Sequence, residues 1–387
     1  MNNAQLTRSL VSLCICITSV TALGQVPPMK DGSTYLPDQV LLAPHGLPWA
    51  YTVLPSPTPI PLRRREPTRT ELEVVERARV LLNTREAKAI ALLDGPNIVY
   101  LEYKQPASAD SLFTSASMAK TVTAMAVGQA ICAGKLKMSD RANEIIPELG
   151  DSALGKATVN DMLRMASGAA DAANAGNSLT GNILTGQNVK DWANGTIDLV
   201  QVIADQRVSQ AAHGMFSDYK PGEKFAYKNT DPITLGLMLN RVTGMSYASW
   251  VQRTLLDPMG AAGSGWISQN KKEQAMAYAG VQLRMEDWIR FAWWIQQASH
   301  GTDCFGNFVR EASHRQISTG KRHLAGYGYL TWTDVTFAPN TFWAAGWGGQ
   351  RIGWSYEGNR MVVAFSNLED WWMELNALFR DWRGAAP

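Results

Sequence analysis

Ser117-Met118-Ala119-Lys120-Thr121-Val122-Thr123-Ala124-Met125-Ala126-Val127-Gly128-Gln129-Ala130-Ile131-Cys132-Ala133-Gly134 is the stretch around which the chain can be organised. From Thr121 to Ala133 it reads as a strong apolar helix, and Gly134 sits where a residue past the last turn would stop it. Ser117 and Lys120, three apart, share a face at the start of that helix, so the ammonium can reach the hydroxyl. The helix dipole favours negative charge on an attacking serine oxygen. An apolar helix half-buries Lys120, and burial lowers a lysine pKa toward the range where the neutral amine accepts a proton.

The bare S-x-x-K pattern is weak, because it occurs four times: Ser117/Lys120, Ser217/Lys220, Ser268/Lys271 and Ser318/Lys321. Ser217 runs into the turn Pro221-Gly222, Ser268 lies in a polar stretch, and Ser318 opens the turn-like Ser318-Thr319-Gly320-Lys321. Only Ser117 opens a long helix. Two further elements carry chemistry. Tyr227-Lys228-Asn229 supplies a phenol, and a tyrosine near an ammonium has its phenolate favoured, which would lower its pKa from ~10. It could then take the serine proton or protonate the leaving group. Gly346-Trp347-Gly348-Gly349-Gln350 enters a strand, where glycines let a substrate backbone approach and leave peptide N–H groups free as oxyanion donors.

Of 387 residues, 45% are hydrophobic and 18% charged, and 36 Lys+Arg against 34 Asp+Glu leave a net charge of +2. Such a balance excludes the electrostatic footprint of a nucleic-acid binder. The composition also excludes disorder, collagen and a disulfide knot. Arg8, the apolar run Leu10–Val20 and the small residues Ala22-Leu23-Gly24 read as a secretory signal over 1–24, cleaved after Gly24. The expected compartment is the periplasm or exterior of a bacterium, with no integral span after cleavage. Cys132 and Cys304 would remain, either as a disulfide or as two buried thiols. The five His are scattered singly and metal-site spacings are missing, so neither metal nor cofactor is expected.

Residues 25–67 are proline-rich, including Pro55-Ser56-Pro57-Thr58-Pro59-Ile60-Pro61, and suit extended wrapping or a linker. Arg63-Arg64-Arg65 reads as a solvated basic cluster. Residues 68–387 form the catalytic-sized domain. Thr68 to Thr84 reads as a helix, and Ala89–Leu93 with Ile98–Tyr103 as a hairpin about Asp94-Gly95-Pro96-Asn97. Helices dominate from Ser117 to about Gln297. One is opened by an Asp231-Pro232 cap and closed by Gly244, and another is bracketed by Thr158 and Gly168. Strands return at Tyr327–Trp332, Gly349–Tyr356 and Met361–Phe365, the last two joined by Glu357-Gly358-Asn359, and a final helix begins near Leu368. The implied fold class is α/β of the α+β type. A central antiparallel sheet is built from both termini and flanked by helices, with a mostly helical insertion over about 135–285.

Taken together, Ser117-Met118-Ala119-Lys120, Leu163-Arg164-Met165-Ala166-Ser167-Gly168, Pro221-Gly222-x-x-Phe225-x-Tyr227-x-Asn229 with Leu235-Gly236, and Gly346-x-Gly348-Gly349-Gln350 resemble the serine β-lactamase and penicillin-binding-protein superfamily. The order looks most like its class C and 6-aminohexanoate-dimer hydrolase/esterase branch, over about 84–380. The resemblance implies a β-lactamase/transpeptidase-like fold, with Ser117 as acylated nucleophile and Lys120 and Tyr227 sharing the acid/base work. It further implies the N–H groups of Ser117 and Gln350 as oxyanion hole, and Asn229 touching the substrate amide or Lys120. Substrate-side residues would be Asn229, Trp347, Gly348, Gly349 and Gln350.

One departure stands out. β-Lactamases and penicillin-binding proteins begin the third motif with Lys, or often His, where this chain has Trp347. An indole supplies no charge for a substrate carboxylate. S-D-N and G-x-S-x-G are also missing. The expectation is therefore a secreted serine acyl-hydrolase acting on a small-molecule ester or amide. β-Lactamase or D-Ala-D-Ala carboxypeptidase activity is the alternative, and a catalytically weak ligand-binding module the second. A structural or adhesive role has only the 14 Trp in its favour, and these fit core and pocket walls equally.

Overall fold

The computed structural model describes residues 51–172, 191–210, 220–263, 265–367 and 371–385. The proposed signal, most of the Ala169–Gly195 loop and Ser217 lie outside the described residues. Among the described residues the main sheet has nine strands. In order they are Arg63–Arg64, Asn97–Tyr103, Ala87–Asp94, Arg360–Ser366, Gln350–Ser355, Thr341–Gly346, Trp332–Val335, Leu324–Tyr327 and Ile317–Ser318. Every pairing is antiparallel except Arg63–Arg64 against Asn97–Ile98. The central pair joins the first long strand to the last, Ala91 opposite Val363, so the two ends of the chain complete one sheet.

Helices Arg69–Thr84 and Trp372–Gly384 pack on one face of those central strands and helix Met285–His300 on the other. Both faces are covered, which is why Ala89-Ile90-Ala91-Leu92-Leu93 and Met361-Val362-Val363-Ala364-Phe365 are apolar runs without alternation. The helix predicted from Thr68 is Arg69–Thr84, with Thr68 as N-cap and Glu71 closing a capping box. The helix after Ser117 is Ala119–Cys132, preceded by a 3-10 turn Ala116–Met118, and Gly134 is left-handed at φ 68°. Gly128 lets a second helix approach: a Cβ there would lie 2.4 Å from the Phe308 ring. The same contact is clamped by a disulfide between Cys132 and Cys304, at the start of helix Cys304–Ala312.

Several expectations need correction. Tyr327–Trp332 is not one strand but the bend between Leu324–Tyr327 and Trp332–Val335, with Gly328 N–H donating to Thr331 O at 2.8 Å. The mostly helical insertion also carries strands. Gly265–Ile267 and Val281–Arg284 join Tyr51–Val53 and Leu112–Thr114 in a second, four-stranded sheet. Strands of three or four residues are too short to show a period of two. Thus the proline-rich segment contributes one strand to this sheet and the edge of the other, and between them it wraps along 260–261 through Ser56 and Ile60 N–H groups. Arg65 is no solvated bystander. It forms ion pairs with Glu71 and Asp94, both at 2.7 Å. Burial pushes the Glu71 carboxyl up, but Arg65, the Thr68 N–H and Arg360 outweigh it and hold the group at about 2. Helix Thr230–Thr243 starts before Asp231, which is buried rather than capping, and Gly244 closes it in the left-handed conformation.

Candidate active site

Ser117 sits in the 3-10 turn that leads into helix Ala119–Cys132, half-buried. Two features force the turn to present it. Ala116 is held at φ 41°, a left-handed conformation that a non-glycine residue adopts only at a cost of order 1–3 kcal/mol. Ser115 pins the turn to the second sheet: its N–H donates to Val281 O at 2.8 Å and its hydroxyl to Ala279 O at 2.8 Å. From the other side Gly346 presses so closely that a Cβ there would lie 2.3 Å from Ser115 O. Only glycine can occupy that position, which explains the residue that precedes Trp347.

Lys120, one turn on, points back beneath Ser117. Its Nζ lies 3.0 Å from Ser117 Oγ, 2.7 Å from Asn229 Oδ1 and 3.5 Å from Tyr278 O. It also stands 4.8 Å from the centre of the Tyr227 ring and 5.4 Å from that of Tyr278. The side chain is 1% exposed. Burial pulls its pKa from 10.5 to about 7, and the negative charge of Asp171 limits the fall. That shift is roughly 5 kcal/mol against the ammonium. At neutral pH a substantial share of the amine is uncharged, with its lone pair beside the Ser117 hydroxyl.

Tyr227 is half-buried and hydrogen-bonded to Ser117. The expectation of a lowered pKa is overturned. Burial drives the phenol up to about 12, against the weaker pull of the Ser117 hydrogen bond and the Arg351 charge. Desolvation wins because the ammonium that would favour a phenolate is itself half-neutralised by the same burial. Tyr227 is held by aromatic packing, stacked on Trp332 at 5.4 Å and edge-on to Tyr327 at 6.3 Å. With Phe225, 5.0 Å from Tyr327, these rings form an aromatic cluster that holds Tyr227 in place.

Asn229 receives the Lys120 amine on its side chain, while its backbone N–H donates to Asp171 Oδ1 at 3.0 Å. Trp347-Gly348-Gly349 is the turn between Thr341–Gly346 and Gln350–Ser355, with Gly348 at φ 79° and Gly349 at φ 94°. Trp347 projects outward, 52% exposed, whereas Gln350 is fully buried. The structure therefore gathers Ser117, Lys120, Tyr227 and Asn229 within one set of contacts. It lays the third-motif hairpin against the Ser117 turn through Gly346. Of the other S-x-x-K pairs, Ser217 lies outside the described residues, and Ser268 is buried next to a strand end, with its backbone bonded to Gly280 and Met276.

Sequence reasoning missed Asp171, whose field and hydrogen bond act on Lys120 and Asn229. It also missed Ser115, and the pair Lys228–Asp231, joined at 3.1 Å beneath the tyrosine loop. A buried Asp two residues after Asn229 and a serine two before Ser117 were visible as letters, but nothing local marked them. Two surface depressions lie elsewhere, of about 450 Å³ beside Leu81 and Leu378 and about 540 Å³ beside Arg360 and Arg383. Neither contains a nucleophile paired with a base. Among the described residues no three His, Cys, Asp or Glu are grouped to hold a metal, and no helix is long and apolar enough to cross a membrane.

The profile of the Beta-lactamase family matches residues 83–384, and the chain belongs to that family. Among curated relatives, Penicillin-binding protein 4* of Bacillus subtilis (strain 168) is 26% identical over 157 residues, 41% of this chain and 31% of the relative. Esterase EstB of Burkholderia gladioli is 26% identical over 195 residues, 49% of this chain and 47% of the relative. The chain thus spans less than half the length of the curated relatives it matches. Among solved structures, a Bacillus anthracis protein assigned as a 6-aminohexanoate-dimer hydrolase superposes with a TM-score of 0.69 at 17% identity. It covers 92% of this chain and 96% of that one, a likeness of fold.

Proposed function

We propose that the protein is a secreted serine acyl-hydrolase that cleaves an ester or amide through an acyl-enzyme on Ser117. The observation that carries this reading is the Lys120 amine, 3.0 Å from Ser117 Oγ and poised near pKa 7. Ser117 Oγ attacks the carbonyl carbon as its proton passes to the neutral Lys120. The N–H groups of Ser117 and Gln350 hold the resulting oxyanion. With its phenol protonated up to about 12, Tyr227 acts first as an acid. It gives its proton to the leaving oxygen or nitrogen and is reprotonated from Lys120. The C–O or C–N bond breaks and the acyl group stays on Ser117. Water then attacks the acyl-enzyme, losing its proton to the same Lys120/Tyr227 pair, and Ser117 departs with a proton restored.

An esterase or amidase fits better than a β-lactamase. The third motif offers the exposed, uncharged Trp347 where a cation would meet a substrate carboxylate, and the half-buried rings of Phe225 and Tyr227 suit an apolar acyl or leaving group. The names of Esterase EstB and the 6-aminohexanoate-dimer hydrolase accord with ester and amide substrates. Export is supported by the leader-like N-terminus and the Cys132–Cys304 disulfide, a bond that persists in oxidising compartments. Ser117→Ala is expected to abolish turnover of a short-chain p-nitrophenyl ester, and a rate equal to wild type would end this reading. Fractionation of producing cells should find the chain outside the cytoplasm with an N-terminus at Gln25. A cytoplasmic chain retaining Met1 would contradict export.

A further inference from the structure

Behind the third-motif hairpin, side chains from outside every motif grip its backbone. Trp371, fully buried just before the C-terminal helix, donates its indole N–H to Gly349 O at 2.9 Å. That carbonyl and the Gln350 N–H are the two ends of one peptide. Arg351, 5% exposed, donates to Gln350 O at 2.8 Å and to Gly346 O, and its guanidinium lies 4.3 Å from the centre of the Trp372 ring. The Gln350 side chain adds bonds to Trp347 O at 3.2 Å and Ser366 O at 2.9 Å. The turn itself runs through two glycines at positive φ. Glycines bring conformational freedom, so whatever stiffness the turn has must come from groups that hold its peptide atoms.

We propose that Trp371 is a positioning residue for the oxyanion donor, seconded by Trp372 acting through Arg351. The inference rests on the reading of the Gln350 N–H as that donor. A hydrogen bond on a peptide's carbonyl polarises the N–H at its other end, and it also fixes the direction in which that N–H points. A donor aimed in advance spends no reorganisation as charge develops on the substrate oxygen. The tandem Trp371-Trp372 is thus part of the catalytic apparatus without touching substrate.

The molecule contains its own control. In the helix that follows Trp371, Trp382, equally buried, donates its indole N–H to Leu93 O at 3.0 Å, away from the hairpin. Trp371→Phe and Trp382→Phe each remove one buried indole bond and keep a ring. Each would be assayed for thermal stability, for kcat and KM on p-nitrophenyl butyrate, and for inhibition by a phosphonate transition-state analogue. Deleting an oxyanion donor outright costs about 10²–10³ in kcat. Loosening one should cost less, so Trp371→Phe is expected to lower kcat roughly ten-fold and weaken the analogue in parallel, with KM within about two-fold. Trp382→Phe should lose comparable stability and leave kcat unchanged.

If Trp371→Phe instead loses stability like Trp382→Phe while kcat and analogue affinity stay at wild type, the indole is merely structural and the inference is overturned. Should Trp371→Phe not fold, Trp372→Leu frees Arg351 from its stacking partner and must show the same coupled fall, smaller in size. Unchanged kinetics there overturn the inference as well. Ser117→Ala separates the two levels. A dead Ser117→Ala beside a fully active Trp371→Phe sinks only the positioning role, whereas an active Ser117→Ala sinks the serine mechanism itself.

Discussion

Lys120 and Lys228 are buried to the same degree, 1% and 2% exposed, and both lie against the tyrosine loop. Their surroundings differ in one respect. Lys228 meets the Asp231 carboxylate at 3.1 Å and the carbonyls of Met165 and Ala226, while Asp231 in turn accepts a hydrogen bond from Ser167. Lys120 meets a hydroxyl, an amide oxygen and a carbonyl, and feels the Asp171 carboxylate only as a field. Burial therefore does opposite work in the two places. Next to a contacting carboxylate it makes an ion pair that braces Met165, Ala226 and the start of helix Thr230–Thr243. Without one, the cost of the charge is met by giving up the proton, and the lysine becomes a base. A buried lysine is informative about chemistry only when its counter-charge is known.

The comparison can be broken at either lysine. Lys120→Met removes the base, and kcat/KM on a chromogenic ester should fall about 10²–10⁴-fold, while thermal stability holds or rises because a costly buried amine is gone. A fall in stability with little loss of rate would assign Lys120 to the scaffold. Lys228→Met should reverse the pattern. Asp231 is left buried without its partner, at a cost of about 3–5 kcal/mol in chemical denaturation. The double change Lys228→Met/Asp231→Leu should recover most of that loss. If the single change is neutral, the pair does not brace the loop.

Asp171→Asn keeps an acceptor for the Asn229 N–H but deletes the charge that holds the Lys120 pKa up. Activity depends on the neutral amine, whose share grows as pH rises through its pKa. The acidic limb of kcat/KM, expected near pH 7, should therefore move to lower pH in Asp171→Asn, by less than one unit. A limb that stays in place would mean that another group controls it.

The fold was legible where long periodic segments or turn chemistry spoke for themselves. Thr68, Gly134 and Gly244 mark helix ends from local physics, and Asp94-Gly95-Pro96-Asn97 marks a hairpin whose strands pair Asp94 with Asn97. It was illegible where pairing partners are remote. Val281–Arg284 is a strand because Leu112–Thr114 lies beside it, about 170 positions away in sequence. Lys120 was legible through its spacing from Ser117, Tyr227 through the Tyr-x-Asn motif, and Asn229 through the family the chain resembles. What spacing cannot tell is the balance of desolvation against charge, so the direction of the Tyr227 shift was misread. Asp171, Arg351 and Trp371 act across long loops, and no local pattern announces them.

The most direct test of the account is the rate at which a fluorophosphonate labels Ser117 as a function of pH, followed by intact-mass and peptide mass spectrometry. A single adduct on Ser117 is expected, with a formation rate that rises with pH about a midpoint near 7 and collapses in Lys120→Met. Labelling on another residue, or a Ser117 rate that is flat from pH 5 to 9 and indifferent to Lys120, would contradict it.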